Sequence, residues 1–251
     1  MAKKPPLASH PDRGYPHVAC SSCSLRELCL PGGIKAREME RIDSLVNHRR
    51  KLKRGERLYR AGAPLASLYA VRSGMMKSCV LHEDGREQVA GFHMMGDLLG
   101  LDAIGGGRHT CDTVALEDCE VCEIPFSSLE ALSRELPPLQ HQLHRIMSRE
   151  IVRDYGVMLL LGSMKAEERL AAFLLNLSQR FAARGYSASE FHLRMTREEI
   201  GSFLGLKLET ISRVLSRFQH DGLIQVHHKH LRILDAGRLR AMLGQATTGD
   251  A

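Results

Sequence analysis

The chain has 251 residues, 43% of them hydrophobic, enough to bury one large core or two ordinary ones, and it reads as a globular protein. Lysine and arginine number 35 against 29 aspartates and glutamates, a net charge of +6, which points to an anionic partner with nucleic acid first. The first 20 residues carry charge and proline but no apolar run, which argues against a secretory signal or a membrane span, so a cytoplasmic protein with no membrane partner is expected.

Residues 1–18 are polar and proline-bearing and read as a flexible lead. The loop 19–33 follows, with Cys20, Cys23 and Cys29 closed off by Leu30-Pro31-Gly32-Gly33, a strong helix and strand breaker. In a reducing compartment the seven cysteines of the chain are read as metal ligands, reactive thiols or core residues rather than as disulfides. Ile34 to Asn47 has helical spacing at Met39, Ile42, Leu45 and Val46. From Leu52 to about Phe126 short β-prone runs alternate with glycine turns, as in a compact antiparallel barrel or roll. Asp84-Gly85, between Met75 to Leu81 and Arg86 to Phe92, is the clearest hairpin. The sensor-like β-roll is therefore assigned to 34–135.

Leu136-Pro137-Pro138 opens a long helix assigned to 136–162, with proline placed in a first turn. Met147, Ile151, Asp154, Met158 and Leu161 recur at alternating steps of four and three, the seam of a parallel helix pair, with one charge inside it. A second stripe, Leu143, Ile146, Glu150, Arg153, Val157 and Leu160, offers the alternative of packing on the chain's own barrel. Gly156 weakens the expectation of one unbroken helix by about 1 kcal/mol relative to alanine.

The segment 163–251 reads as a second domain. Ala166 to Ala183 is amphipathic, and Thr196-Arg-Glu-Glu199 is a capping box opening a short helix through Leu204. Gly205-Leu206-Lys207 breaks it and Leu208 to His220 resumes, giving a helix-turn-helix with a small hairpin wing around His227-His228-Lys229-His230. With Leu208, Ile211, Leu215 and Phe218 taken as the inward face, Glu209, Ser212, Arg213 and Ser216 point outward. Arg213 has the fork that matches guanine O6 and N7, Glu209 accepts from a cytosine amino group, and Ser212 serves either role. Lys207, Arg217 and Lys229 are expected on phosphate, where they position the domain without reading sequence. The wing histidines read as a solvated turn ahead of a metal site.

Three thiolates from one loop need a fourth ligand to complete a zinc or iron-sulfur site. Cys119 and Cys122, three apart on a strand, face opposite sides, so at most one of them joins; Cys79 and Cys111 read as small buried hydrophobes. The spacing leaves zinc, an iron-sulfur cluster and a simple thiol switch open. An iron-sulfur electron carrier is a reading of another class, but the chain has neither a second four-cysteine set nor a nucleotide-binding glycine fingerprint. No catalytic constellation is read, and the protein is not expected to be an enzyme.

Taken together, Cys20, Cys23 and Cys29 with Val121-Cys-Glu-Ile-Pro-Phe126, Tyr69-Ala-Val-Arg-Ser-Gly74, Gly91-Phe-His93, Gly96-Asp97, Ala166-Glu-Glu-Arg-Leu170 and Glu209-Thr-Ile-Ser-Arg213 closely resemble the FNR branch (fumarate and nitrate reduction regulators) of the CRP family. The likeness runs from Cys20 to Leu234. It implies an α+β protein with a jelly-roll sensor domain, a dimerisation helix and a winged helix-turn-helix. It also implies an oxygen-labile 4Fe-4S cluster on Cys20, Cys23, Cys29 and Cys122, with Cys79, Cys111 and Cys119 as non-ligands. A homodimer would then bind double-stranded DNA at palindromes of TTGAT-like half-sites, and the loops at Ser73 and Gly85 match places where such regulators touch RNA polymerase. Cyclic-nucleotide binders of the wider family carry Gly-Glu and Arg-Ser/Thr-Ala in the phosphate cassette; Gly96-Asp97 and Arg108-His-Thr-Cys stand here instead, so no cyclic nucleotide is expected.

Overall fold

A computed structural model of the chain describes residues 20–46, 48–81 and 85–244. The expected N-terminal lead, the Asp84 half of the hairpin turn and the last residues of the chain lie outside the described residues.

Eleven strands and seven α-helices are described: α1 Ala36–Asp43, β1 His48–Leu52, β2 Arg57–Tyr59, β3 Ser67–Ser73, β4 Met75–Leu81, β5 Glu87–Met94, β6 Leu98–Leu99, β7 Asp112–Ala115, β8 Cys119–Pro125, α2 Phe126–Glu135, α3 Pro137–Ser163, α4 Ala166–Ala182, β9 Glu190–His192, α5 Arg197–Leu204, α6 Leu208–His220, β10 Ile224–His227, β11 His230–Ile233 and α7 Ala236–Ala241. The first eight strands form two antiparallel four-stranded sheets, ordered β1-β8-β3-β6 and β2-β7-β4-β5, the two halves of a jelly roll. The β4–β5 hairpin pairs from Met75↔Met94 to Leu81↔Glu87, with one register shift between Ser78 and Cys79.

Strand alternation divides the cores. Cys119 and Val121 of β8 point between the sheets, where they are buried with Leu52, Val71, Met76 and Cys111. The other face of β8 carries Cys122 and Ile124, and this outer face is covered by Leu30, Ile42, Leu129, Leu139 and Ile146, drawn from the cysteine loop, α1, α2 and α3. Over the second sheet, Cys79, Val89, Phe92 and Met94 share one core with Phe173, Leu174 and Leu204 of α4 and α5. Phe92, Phe173 and Phe203 meet with ring centroids 5.3–5.9 Å apart, the tilted geometry aromatic rings prefer.

The long helix α3 runs unbroken through Gly156 for 27 residues, roughly 40 Å at 1.5 Å per residue. Packing on both ends offsets the glycine cost: Ile146 belongs to the core beside the cysteine loop and Leu160 to the core beside α4. The C-terminal wing has three strands rather than a bare hairpin, because β9 pairs with β11 at Leu231↔Phe191 and His230↔His192.

Candidate functional site

The cysteine loop is wound into successive turns. Cys20–Ser22 form one turn of 3-10 helix, the Cys23 amide donates to the Cys20 carbonyl at 3.1 Å, and the Cys29 amide to the Leu25 carbonyl at 3.1 Å. Asp43 at the end of α1 holds the first turn, accepting from the Ser21 amide at 3.1 Å and its hydroxyl at 2.8 Å. In this conformation Cys20, Cys23 and Cys29 line one small cavity together with Cys122, whose strand neighbours are Arg49 on β1 and Ala70 on β3. Cys111 and Cys119 lie buried inside the barrel and Cys79 in the core beneath α4 and α5, all apart from this cavity.

Burial pushes the Cys20 and Cys29 thiols up to about 12, and for both the neighbouring cysteines add to it, because thiolates so close repel one another. Cys122 is raised as well, chiefly by burial, against the opposing pull of Arg49 and Arg72. Thiols gathered around one cavity, with Cys20, Cys29 and Cys122 raised by burial, are therefore a set that favours a cationic guest over free thiolates. Among the described residues no three His, Cys, Asp or Glu side chains already stand at metal-holding separations. Soft donors in the right number, apolar walls and two flanking guanidiniums suit an iron-sulfur cluster in chemistry, and seating one requires the loop thiols to re-aim.

At the other end of the molecule the capping box is formed in full: the Glu199 amide donates to Thr196 Oγ1 at 3.1 Å and the Thr196 amide to Glu199 Oε2 at 2.7 Å. The turn to α6 closes tightly on Gly201, where a Cβ would lie 2.5 Å from the Leu206 carbonyl oxygen, a distance no side chain tolerates. Ile211, Val214, Leu215 and Phe218 are the buried face of α6. Leu208 was expected among them and is instead 44% exposed, since it sits in the first turn where the helix has not yet met α4; Val214 takes the inward place. Glu209, Arg213 and Ser216 are exposed, as are Lys207 ahead of the helix and Lys229 at the wing tip. Ser212 is half-buried and accepts from Arg197 Nη1 at 3.1 Å, and Arg217 Nη1 donates to Glu167 Oε1 at 2.7 Å. Arg197 is an exposed cation beside Ser212 that periodicity alone does not single out; its position as first residue of a capped helix is the available signal.

On α3 the stripe of Ile146, Glu150, Arg153 and Leu160 turns toward the barrel and α4, whereas Ile151 (51% exposed), Asp154, Tyr155 and Met158 (59% exposed) face outward; Met147 and Leu161 flank them half-buried. With Val152 and Leu159 exposed as well, α3 carries five exposed large hydrophobes within nine residues, more than single scattered ones. Ser73 and Gly85 are both exposed, at two ends of the roll.

Residues 49–135 match the model of the cyclic nucleotide-binding domain and residues 168–242 that of the Crp-like helix-turn-helix domain. The transcriptional regulatory protein btr of Bordetella pertussis is 46% identical over 245 residues, covering 98% of this chain and 99% of that protein. The fumarate and nitrate reduction regulatory protein of Escherichia coli K12 is 47% identical over 227 residues, covering 90% of this chain and 91% of that one. The chain belongs to the FNR branch of the CRP/FNR family. Among solved structures, FixK2 from Bradyrhizobium japonicum superposes with a TM-score of 0.73 at 31% identity, over 80% of this chain and 98% of that one.

As a member of this family the protein is a transcriptional regulator with a DNA-binding helix-turn-helix, and none of its described helices is long and apolar enough to cross a membrane. The family's nucleotide cassette positions are engaged within the chain itself. Asp97 accepts from Arg180 at 2.5 Å and Arg184 at 2.6 Å, and Arg108 Nη1 donates to the Gly62 carbonyl at 2.6 Å. The DNA-binding half is tied to the β-roll a second time by Lys77, which bridges Glu87 at 2.8 Å and Glu199 at 3.2 Å, and by the Val89 amide on Ser202 Oγ at 2.9 Å.

Proposed function

We propose that this regulator senses oxygen through a 4Fe-4S cluster held by Cys20, Cys23, Cys29 and Cys122, and that in the cytoplasm, without oxygen, it binds palindromic DNA as a homodimer to control anaerobic gene expression. The observation that carries the reading is that these four cysteines, one of them from a strand remote in sequence, line a single desolvated cavity. When bound, the cluster supplies an oxygen-labile link among four thiolates. Asp43 holds the first turn of the loop through Ser21, and Arg49 tempers the charge of Cys20. On α3, Ile151, Met158, Met147 and Leu161 supply apolar area to a second copy. Asp154 opposes its own counterpart across the seam, so that association stands near balance. Only a dimer spans two half-sites a helical turn apart. Within each half-site of TTGAT type Arg213, Glu209 and Ser212 read bases, while Lys207, Arg217 and Lys229 fix the register on phosphates. The exposed loops at Ser73 and Gly85 are assigned to contact with RNA polymerase.

The test is a preparation made without oxygen. Iron and acid-labile sulfide per chain are measured, air is admitted, and half-site DNA binding is followed. About four irons and four sulfides, lost on exposure together with DNA binding, are expected; an iron-free protein, or DNA binding indifferent to air, overturns the reading.

A further inference from the structure

Gln142 stands in the third helical step after Leu139 on α3, and it is one of the few buried polar side chains among the described residues, only 6% exposed. Its Nε2 donates to the Cys29 carbonyl at 3.0 Å, a bond between residues 113 apart in the chain. The Cys29 carbonyl also accepts from the Gly32 amide at 3.1 Å, so the turn that carries the third loop cysteine closes on the same oxygen that the helix grips. Gly32 makes room for this. A Cβ there would lie 2.6 Å from Gln142 Nε2, 2.9 Å from the Glu27 carbonyl and 3.2 Å from the Cys29 carbonyl. The crowding, and no unusual backbone angle, is what calls for glycine at that position.

We infer that Gln142 is a positioning residue that passes the conformation of the cysteine loop to the dimerisation helix; the inference rests on the proposed role of Cys29 as a cluster ligand. The geometry favours transmission over mere anchoring. The neighbours of Gln142 on the inward face, Leu139 and Ile146, pack in the core that also contains Leu30 and Ile34 from the end of the loop. A displacement of the Cys29 turn therefore moves a hydrogen-bonded and packed segment of α3. Because the helix is continuous, the shift reaches Asp154 roughly 18 Å further along it. Any movement of the Cys29 backbone that re-aims its thiol carries with it the carbonyl that Gln142 holds.

The test separates the coupling from the cluster. In the full, metal-free reduced chain, hydrogen exchange is read in two peptides, 25–33 and 143–155, before and after the loop thiols are alkylated with iodoacetamide. In the wild type, alkylation is expected to speed exchange in both peptides. Gln142→Leu keeps the volume and removes the donor. Its unmodified loop should exchange about fivefold faster, the equivalent of one net hydrogen bond of about 1 kcal/mol, and alkylation should leave its helix peptide unchanged. Gly32→Ala should reproduce both effects from the loop side, with Gln142→Met as a second apolar variant if either folds poorly. Loop exchange in Gln142→Leu equal to wild type overturns the inference, and so does a helix response to alkylation that survives the substitution. Iron and sulfide in the anaerobic wild type judge the cluster reading by themselves, whatever these exchange rates show.

Discussion

Replacing Asp97 with asparagine tests whether the DNA-binding half is locked to the β-roll by charge. Asp97 lies in the turn between β5 and β6, its side chain 12% exposed, and accepts from Arg180 Nη2, Arg184 Nη2 and the Met94 amide at 2.5, 2.6 and 2.9 Å. The two arginines, both from the C-terminal part of α4 and the turn after it, also donate to the Phe92 and Met95 carbonyls at 3.0 and 2.5 Å. Burial alone would raise the Asp97 carboxyl, yet Arg180 and Arg184, with Arg153 behind them, hold it below the ordinary carboxylate value. A folded-state value below the unfolded one stabilises the protein above the unfolded value, near pH 4, and that stabilisation fades as pH falls through the folded value. Asparagine keeps the shape but strands two buried guanidiniums, and breaking such a pair costs about 3–5 kcal/mol, a large share of a total near 5–15 kcal/mol. Urea unfolding at pH 7 should show this loss as a lower midpoint at unchanged slope. Repeated at falling pH, the gap between wild type and variant should begin to narrow below about pH 4, where the unfolded carboxyl takes up its proton, and should close as pH falls through the lowered folded value. A cost below about 1 kcal/mol at pH 7, or a gap that does not narrow in acid, would refute the argument.

Cys122→Ser should fold normally, since the half-buried sulfur carries little of the core, yet fail to retain iron after anaerobic purification; thermal melting and iron content per chain check the two halves. Arg213→Ala should lose about 1–3 kcal/mol of discrimination at a guanine of the half-site, seen as equal anisotropy titrations on native and base-substituted DNA. Lys229→Ala should weaken all sequences alike and lower the salt slope by about one. Asp154→Ala removes the opposed carboxylates and should give dimers and DNA binding in air by sedimentation and gel shift, and a variant that still needs anaerobic conditions would count against the seam.

Periodicity made much of this legible. Three residues of separation on a strand already sends Cys119 and Cys122 to opposite faces, and the structure has one inside the barrel and the other against the loop. The capping box of α5 was readable because both of its hydrogen bonds are local. What escaped depends on contacts distant in sequence. Strand β9 is three residues long with Phe191 alone buried, and it exists because β11 pairs with it. Leu208 has the spacing of a core residue but lies in a first turn, before α4 reaches it. Gln142 looks like any polar residue on a helix until the carbonyl it meets, 113 positions upstream, is in place.

The division of the roll gives the proposed signal a route. The outer face of one sheet is covered by the cysteine loop, α1 and α2, and that of the other by α4 and α5, so input and output are held on opposite sides of a stiff barrel. A barrel closely packed on both faces is a poor conductor of small shifts, because strand pairing fixes its register. Helix α3 joins both coverings, through Gln142 and Ile146 near one end and Leu160 near the other. Between them Arg153 faces the Asp97 cluster, while Asp154, one residue on, faces out. A rotation of α3 about its axis would therefore change two things together: the exposure of Asp154 to a second copy, and the field of Arg153 on the ion cluster that holds α4 to the roll. If that rotation accompanies dimerisation, variants at Asp97 and Asp154 should be non-additive in DNA binding, as expected for residues coupled through a shared element. Additive effects in the double variant would show that two separate elements carry the two responses.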